Sequence, residues 1–324
     1  MTVWRGADEC GSAPRNPPEI PTEAILAGKR RCCHRQGGHH NHEQSGIPPL
    51  KDFDALARPS NSSTSRNTER AHHEDRRHRQ QRTHRIEARA QAPRRGARDS
   101  GADLDSGVNT LTGQGLAAAV AGASVVVDVS NSLSSEDAAV MRFFQTSTRN
   151  LLAAESAAGV GHHVALSGVG IERMPDSGYM RAKVAQEKLI EDSSIPYSIV
   201  RSTQFFESIN SIADAATSGH TVRLAHVLIQ PVAAEDVARA LADVTTGPPV
   251  NGSIEIAGPQ QFPFDELIRN TLRERHDPRE VITDPHAPHV GAELHERTLV
   301  PDASARLAET RFDDWLKRST TGES

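Results

Sequence analysis

Hydrophobic residues follow a regular pattern in the last two thirds of the chain and almost none before that. From Gly107 onwards, short apolar runs rich in β-branched residues alternate with stretches of helical periodicity. The run 123–129 (ASVVVDV) is bounded by glycine and polar residues, which predicts a strand buried on both faces. Further strands are predicted at 163–166, 197–200 and 253–256.

Helices are predicted between these strands. The longest spans 134–158, with Ser134 and Ser135 as N-cap candidates and Gly159 at its end. The others are predicted at 116–121, 178–192, 235–243, 264–275 and 312–316. Strands that alternate with helices indicate βαβ units. The pattern therefore predicts an α/β fold with a doubly wound, Rossmann-like parallel sheet.

Charge divides the chain at about residue 100. Residues 1–100 contain 19 Lys and Arg against 12 Asp and Glu, whereas residues 101–324 contain 18 against 30. The first part is also rich in His, Pro and Ser and has no periodic apolar face, so it cannot bury enough surface to offset the entropy of ordering. We expect residues 1–100 to be a disordered basic segment and residues 101–324 to form the Rossmann-like domain.

Two kinds of binding are open for the basic segment. Cys32, Cys33 and the histidines at 34, 39, 40 and 42 could bind a metal, but their spacing matches no zinc module. The arginine-rich run 76–98 could contact phosphates, yet it lacks aromatic residues for stacking bases. We therefore expect no metal site and no specific nucleic-acid partner.

A change of reading frame explains the basic segment better. When the codons of residues 73–89 are shifted by one base, they permit the string MKIVVIG-(N/S)-(N/S)-GLIGSKLV. This string contains a buried strand followed by G-x-x-G-x-x-G at the start of a helix, which is the order found in dinucleotide-binding units. We interpret residues 1–100 as out of frame, so that the chain lacks its N-terminal strand, glycine loop and helix.

Candidate chemistry comes from Ser167, Tyr179 and Lys183. Tyr179 and Lys183 are four residues apart near the start of a predicted helix, so they share one face. A neighbouring cation favours the phenolate and lowers the pKa of a tyrosine from its usual value of about 10. Ser167 follows a predicted strand, at the sheet edge where open α/β folds bind ligands. Tyr179 could then donate a proton to a carbonyl oxygen that Ser167 holds.

Residues 107–316 resemble the atypical, NmrA-like, NAD(P)-binding branch of the short-chain dehydrogenase/reductase superfamily. The resemblance rests on six segments in the family's order: VVVDVSNS, TRNLLAAESAAGV, HHVALSGVG, YMRAKVAQEKLI, IPYSIVRSTQFFE and IQPVAAEDVARAL. The glycine loop that normally holds the cofactor pyrophosphate is the part in which this chain departs from the family.

The resemblance implies a role for each matching residue. Tyr179 would be the general acid and base, Lys183 would lower its pKa and bind the nicotinamide ribose, and Ser167 would orient the substrate carbonyl. The remaining cofactor contacts would come from Val129, Ser130 and Asn131 after one strand, and from Ser202, Thr203 and Gln204, with Phe205, after another.

The sequence thus predicts an NAD(P)-dependent oxidoreductase that transfers a hydride to a small carbonyl, enone or quinone and is impaired in the chain as it stands. The alternative is a regulatory protein that senses NAD(P) without turnover. The choice between NAD and NADP and the oligomeric state stay open. No signal peptide or membrane-length apolar run is present, so we expect a cytoplasmic protein with no membrane partner.

Overall fold

The computed structural model describes residues 1–5, 98–102, 104, 106–132 and 134–321. All of them belong to the larger of two compact units, which comprises residues 1–37 and 96–324. The strands are β1 (Thr2–Arg5), β2 (Arg98–Gly101), β3 (Val125–Asp128), β4 (His162–Gly168), β5 (Tyr197–Ser202), β6 (Thr217–Ser218), β7 (Thr221–Leu224), β8 (Leu228–Ile229), β9 (Gly252–Ala257), β10 (Phe262–Pro263), β11 (Glu280–Thr283) and β12 (Arg306–Leu307).

The predicted parallel sheet is confirmed. Seven strands pair in the order β12-β9-β5-β4-β3-β1-β2, and the five from β12 to β3 run parallel. All four residues of β3 are buried, and its three valines, residues 125–127, form the apolar run that predicts this. The carboxyl ends of β3, β4 and β5 therefore meet at one edge of the sheet.

Helices cover both faces of this sheet. On one face lie α1 (Leu116–Val120), α2 (Asp137–Ala158) and α3 (Gly178–Glu191), and on the other lies α5 (Ala234–Thr246). Alternation along β3 separates the two layers, because Val125 and Val127 pack against α5 while Val126 packs against α1 and α2. The layering is that of a doubly wound α/β fold.

The other helices belong to a smaller region beside the sheet. They are α4 (Ile209–Ala215), α6 (Phe264–Glu274) and α7 (Phe312–Thr321). They share an apolar core with the three-stranded sheet β11-β7-β6, and Phe206 and Phe264 are at its centre. The sequence pattern predicts α6 and α7 but not α4 or these short strands.

The N-terminal part of the chain differs from expectation at two short segments. β1 pairs antiparallel with β3, with Val3 opposite Val126, and β2 pairs antiparallel with β1. Free backbone N–H and C=O groups on an edge strand accept a partner of either direction. A sheet that lacks its N-terminal strand is expected to expose apolar surface at residues 125–127 and 164–166, but this expectation is wrong, since all six residues are buried. Residues 6–97 lie outside the described residues.

None of the helices in the described ranges has the length and apolar character that a membrane crossing would require.

Candidate active site

A pocket opens at the carboxyl edge of the parallel sheet. Its walls come from the last residues of β4 and β5, from the segments that follow β3, β4 and β5, from the first turns of α3, from the start of α4 and the residue before it, and from a turn at residues 289–290. The lining residues are Val129, Ser130, Asn131, Leu166, Ser167, Gly168, Val169, Ile171, Tyr179, Met180, Lys183, Ser202, Gln204, Phe205, Ser208, Ile212, His289 and Val290. This is the edge at which open α/β folds bind ligands.

The three candidate catalytic residues all line this pocket. Ser167 is the penultimate residue of β4, and Tyr179 is the second residue of α3. The helix begins where it does because the Ser177 side chain accepts a hydrogen bond from the Met180 N–H at 3.3 Å. Lys183 follows one turn later, so the fold brings the predicted trio to one surface.

Phe144 of α2 packs beside both members of the Tyr–Lys pair. Its ring lies edge-on to Tyr179, with centroids 5.8 Å apart, and the Lys183 Nζ lies 4.8 Å from its centroid. Phe144 is fully buried. An aromatic face attracts a nearby ammonium, so this ring restricts the positions that the Lys183 side chain can take.

Lys183 is itself buried and held by oxygen acceptors. Its Nζ donates to the Leu166 carbonyl at 2.9 Å and to the Gln186 Oε1. The Gln186 Nε2 in turn donates to Asp128 at 3.0 Å. Asp128 also accepts a bond from the Ser130 N–H at 2.9 Å, which is the backbone partner that its position inside an apolar strand requires.

The charge of Asp128 is favoured by its surroundings. Burial on its own would raise the pKa of the carboxyl, but the charge of His163, hydrogen bonds from Ser130 and the N-terminal amine together lower that pKa below its ordinary value. Asp128 is therefore a carboxylate at neutral pH.

The two loops predicted to contact the cofactor also reach the pocket, with one exception. Val129, Ser130 and Asn131 line it after β3, and it is also lined by Ser202, the last residue of β5, and by Gln204 and Phe205 after that strand. Thr203 does not line it; its side chain is buried and its N–H donates to the Ile256 carbonyl at 3.1 Å.

Several buried polar atoms of the site lack a protein partner, which bears on whether a nicotinamide cofactor fits. In the pocket lining, the Ser167 Oγ and the Gln204 Oε1 have no hydrogen-bond partner among the described residues; the Thr203 Oγ1 also has none, but it lies outside that lining. Orphaned polar groups of this kind call for a ligand or solvent. They suit the nicotinamide end of a cofactor. A glycine loop after a parallel strand beside β3 is absent from the described residues, because β1 occupies that position.

His289 is a pocket residue that sequence reasoning missed. It sits in a tight turn in which Val290 and Gly291 both adopt positive φ, and its ring packs edge-on against Phe264. Burial lowers its pKa to about 4, so the imidazole is neutral at physiological pH. It lies more than a hundred residues beyond Lys183 in the sequence, and no local motif marks it.

The adjacent histidines of β4 are core residues rather than surface residues at the strand's start. His163 Nδ1 lies 2.9 and 3.0 Å from the two carboxylate oxygens of Glu155, and both side chains are fully buried. Burial lowers the pKa of His163, but the charges of Glu155 and Asp128 and the bond to Glu155 raise it overall. Burial and the charge of Asp128 raise the pKa of Glu155, so this pair retains a proton.

Two predicted features cannot be placed. The Cys and His residues at 32–42 and the arginine-rich run from 76 to 97 lie outside the described residues. In the part of the chain that is described, no cluster of His, Cys, Asp and Glu has the arrangement of a metal site.

Solved structures with a similar fold include several nicotinamide-dependent enzymes. An NADPH-dependent quinone oxidoreductase from Escherichia coli is 18% identical, with a TM-score of 0.46 over 63% of this chain and 78% of the other. A dTDP-glucose 4,6-dehydratase from Streptomyces venezuelae with bound NAD is 17% identical, with a TM-score of 0.48 over 64% and 74%. A short-chain dehydrogenase/reductase superfamily protein from Agrobacterium tumefaciens with bound NAD is 16% identical, with a TM-score of 0.48 over 64% and 81%.

A search of curated proteins finds no match. The sequence pattern of the NAD(P)H-binding family, in contrast, matches residues 77–248, which is more than half of the chain. That match includes the pocket loops after β3, β4 and β5 and the helix that carries Tyr179 and Lys183. The chain therefore belongs to the NAD(P)H-binding family.

Proposed function

We propose that the protein is an NAD(P)-dependent oxidoreductase that reduces a small carbonyl, enone or quinone. One observation carries this proposal. Ser167, Tyr179 and Lys183 line a single pocket together with both loops expected to contact the cofactor. A regulatory protein that only senses the dinucleotide would have no use for an acid–base group in that pocket.

In this proposal the proton and the hydride reach the substrate from different groups. The Ser167 hydroxyl donates a hydrogen bond to the carbonyl oxygen and orients it. A bound NADH or NADPH would supply the hydride to the carbonyl carbon. The Tyr179 phenol gives its proton to the oxygen, and the Lys183 ammonium stabilises the phenolate that is left. Solvent then returns the proton to Tyr179, which balances the reaction.

The walls of the pocket favour an apolar substrate. Val169, Ile171, Met180, Ile212 and Val290 line it. Such a surface suits a cyclic enone, a quinone or a small aldehyde better than a polyhydroxylated sugar, whose hydroxyls would lose hydrogen bonds to water.

The test is steady-state reduction of an aldehyde, a cyclic enone and a quinone by the full chain, with millimolar NADH or NADPH. We expect slow turnover that Tyr179→Phe lowers by about 10²–10⁴-fold, since general acid–base groups contribute that much. Tyr197→Phe is the matched control. Tyr197 begins β5 and lies at the opposite end of that strand from Ser202, so it should leave the rate unchanged.

Two results would count against this function. Equal turnover in Tyr179→Phe and the starting protein would remove Tyr179 from the reaction. Saturable dinucleotide binding with no turnover on any substrate would favour the sensing protein instead.

A further inference from the structure

A line of buried hydrogen bonds runs from Lys183 away from the pocket. The Lys183 Nζ donates to Gln186 Oε1, and the Gln186 Nε2 donates to Asp128 Oδ2 at 3.0 Å. The three residues are 5%, 1% and 2% exposed. At this level of burial each hydrogen bond fixes its neighbour, because a broken one is not replaced by water.

The chemistry of the two ends sets the direction of this line. An ammonium can only donate and a carboxylate can only accept, whereas an amide has one group of each kind. Gln186 lies between Lys183 and Asp128, so it must turn its NH₂ to Asp128 and its oxygen to Lys183. Asp128 thereby decides that Gln186 presents an acceptor to the ammonium.

Asp128 also reaches the cofactor side of the pocket. Its second oxygen, Oδ1, accepts the Ser130 N–H at 2.9 Å, and Ser130 lines the pocket. One carboxylate therefore contacts the loop after β3 and, through Gln186, the helix that carries Tyr179. No local motif links Asp128 to Gln186, which lie 58 residues apart in the sequence.

We propose that Asp128 and Gln186 are positioning residues, which hold the Lys183 ammonium where it stabilises the Tyr179 phenolate. This inference rests on the proposed function of the Tyr179–Lys183 pair. Without the hydrogen bond from Gln186 to Asp128, the Gln186 side chain could turn its NH₂ toward Lys183. The Lys183 ammonium, which can only donate, would then move away from that NH₂. The phenolate would then lose part of its stabilising charge.

Tyrosine absorbance tests this proposal without cofactor or turnover. The chain contains two tyrosines, so in a Tyr197→Phe background the tyrosinate signal belongs to Tyr179. We expect Lys183→Met to raise the apparent pKa of Tyr179, and Gln186→Met and Asp128→Asn each to raise it by about one pH unit, equivalent to a tenfold loss of phenolate near neutrality.

The sign of the shift in Asp128→Asn separates positioning from simple charge. Removing a nearby negative charge would by itself favour the phenolate and lower the pKa of Tyr179. A rise is therefore opposite to the direct effect of the lost charge and has the sign expected when Lys183 no longer stabilises the phenolate. Gln186→Met keeps the side-chain length and changes no charge, so it tests the positioning of Lys183 independently of Asp128. It decides between the two explanations if Asp128→Asn does not fold.

Asp236→Asn is the matched control. Asp236 is a buried aspartate of α5 that contacts Arg239 and the Thr310 N–H, and it does not line the pocket. Its replacement should leave the Tyr179 titration unchanged, and urea unfolding should show all variants folded.

The outcomes distinguish this inference from the proposed function. A Lys183→Met shift with no shift in Gln186→Met and Asp128→Asn overturns the positioning role and leaves the Tyr–Lys pair intact. No shift in Lys183→Met overturns the pair itself. A rise in the apparent pKa of Tyr179 in all three variants supports positioning through the ammonium. In that case the rise in the double variant of Asp128→Asn and Lys183→Met should be smaller than the sum of the two single rises.

Discussion

At the scale of single residues, His289 should make the fold sensitive to acid. Its folded-state pKa of about 4 lies below the ordinary value of 6.5, so the unfolded chain takes up this proton first as pH falls. The stability that neutral His289 contributes is present above pH 6.5 and is lost between 6.5 and 4. We expect His289→Asn to reduce the slope of unfolding free energy against pH there by up to about 1.4 kcal/mol per pH unit.

Urea unfolding at several pH values between 4 and 7 measures this slope. His286→Asn is the control, because the His286 side chain is 79% exposed and lies near the same turn. Equal slopes for His289→Asn and the starting protein would show that His289 does not titrate as its burial indicates.

The predictable residues of the pocket are those whose partners are close in sequence. Tyr179 and Lys183 share a helix face, and Ser167 lies near the carboxyl end of a strand, so spacing and the usual ligand-binding edge of the fold together predict their proximity. His289 reaches the pocket only through the packing of a distant turn. Gln186 has the ordinary appearance of a polar helix residue, and only the register of β3 beside β4 brings Asp128 within reach of it.

At the scale of elements, the start of α3 depends on Ser177. This side chain is buried, and it caps the helix by accepting the N–H of Met180, the residue that follows Tyr179. Ser177→Ala leaves that N–H without its acceptor and should lower the unfolding free energy by about 1 kcal/mol. Because the Met180 N–H then loses its acceptor, the Met180 amide should also show faster hydrogen exchange.

A comparison with Ser134→Ala isolates the effect of the cap. Ser134 precedes α2, which begins at Asp137 with no side-chain cap, and its hydroxyl accepts the exposed N–H of Glu136. We expect a smaller loss of stability in urea unfolding. An equal loss in the two variants would argue that capping does not set the start of α3.

The starts of α2 and α3 also show which helix properties the hydrophobic pattern of the sequence can predict. The sequence places Ser134 and Ser135 where an N-cap is expected, yet α2 begins two residues later, because serine hydroxyls can bond nearby backbone groups in a turn as well as in a cap. Helix existence follows from periodicity over many residues. A boundary depends on one or two local bonds, which periodicity does not contain.

At the scale of the whole molecule, we expect the side of the parallel sheet next to β3 to set the affinity for the cofactor. In the described residues, β3 is flanked by an antiparallel strand, β1, whose own carboxyl end points to the opposite edge from the pocket. The sequence pattern could not predict β1, because four residues carry no periodic signal. The parallel strands β3, β4 and β5 each contain a short apolar run between helical segments and were predictable for that reason.

This arrangement leads to a prediction for the dinucleotide. A glycine loop offers several N–H donors and a helix N-terminus to a pyrophosphate, and each charge-assisted bond is worth about 1.5–3 kcal/mol. Losing two or three of them weakens a micromolar affinity to millimolar or beyond. We therefore expect the chain to bind NADH and NADPH only at millimolar concentration, although Tyr179 and Lys183 both line the pocket.

Calorimetric titration of two proteins decides this point. One is the chain with the printed sequence, and the other has residues 73–100 encoded in the shifted frame that restores G-x-x-G-x-x-G. Both share the pocket residues from Val129 onwards, so a difference between them belongs to the restored strand, loop and helix. We expect micromolar binding in the second protein alone. Micromolar binding by the printed chain would mean that its own basic segment supplies a phosphate site, since the pocket residues of the two proteins are identical.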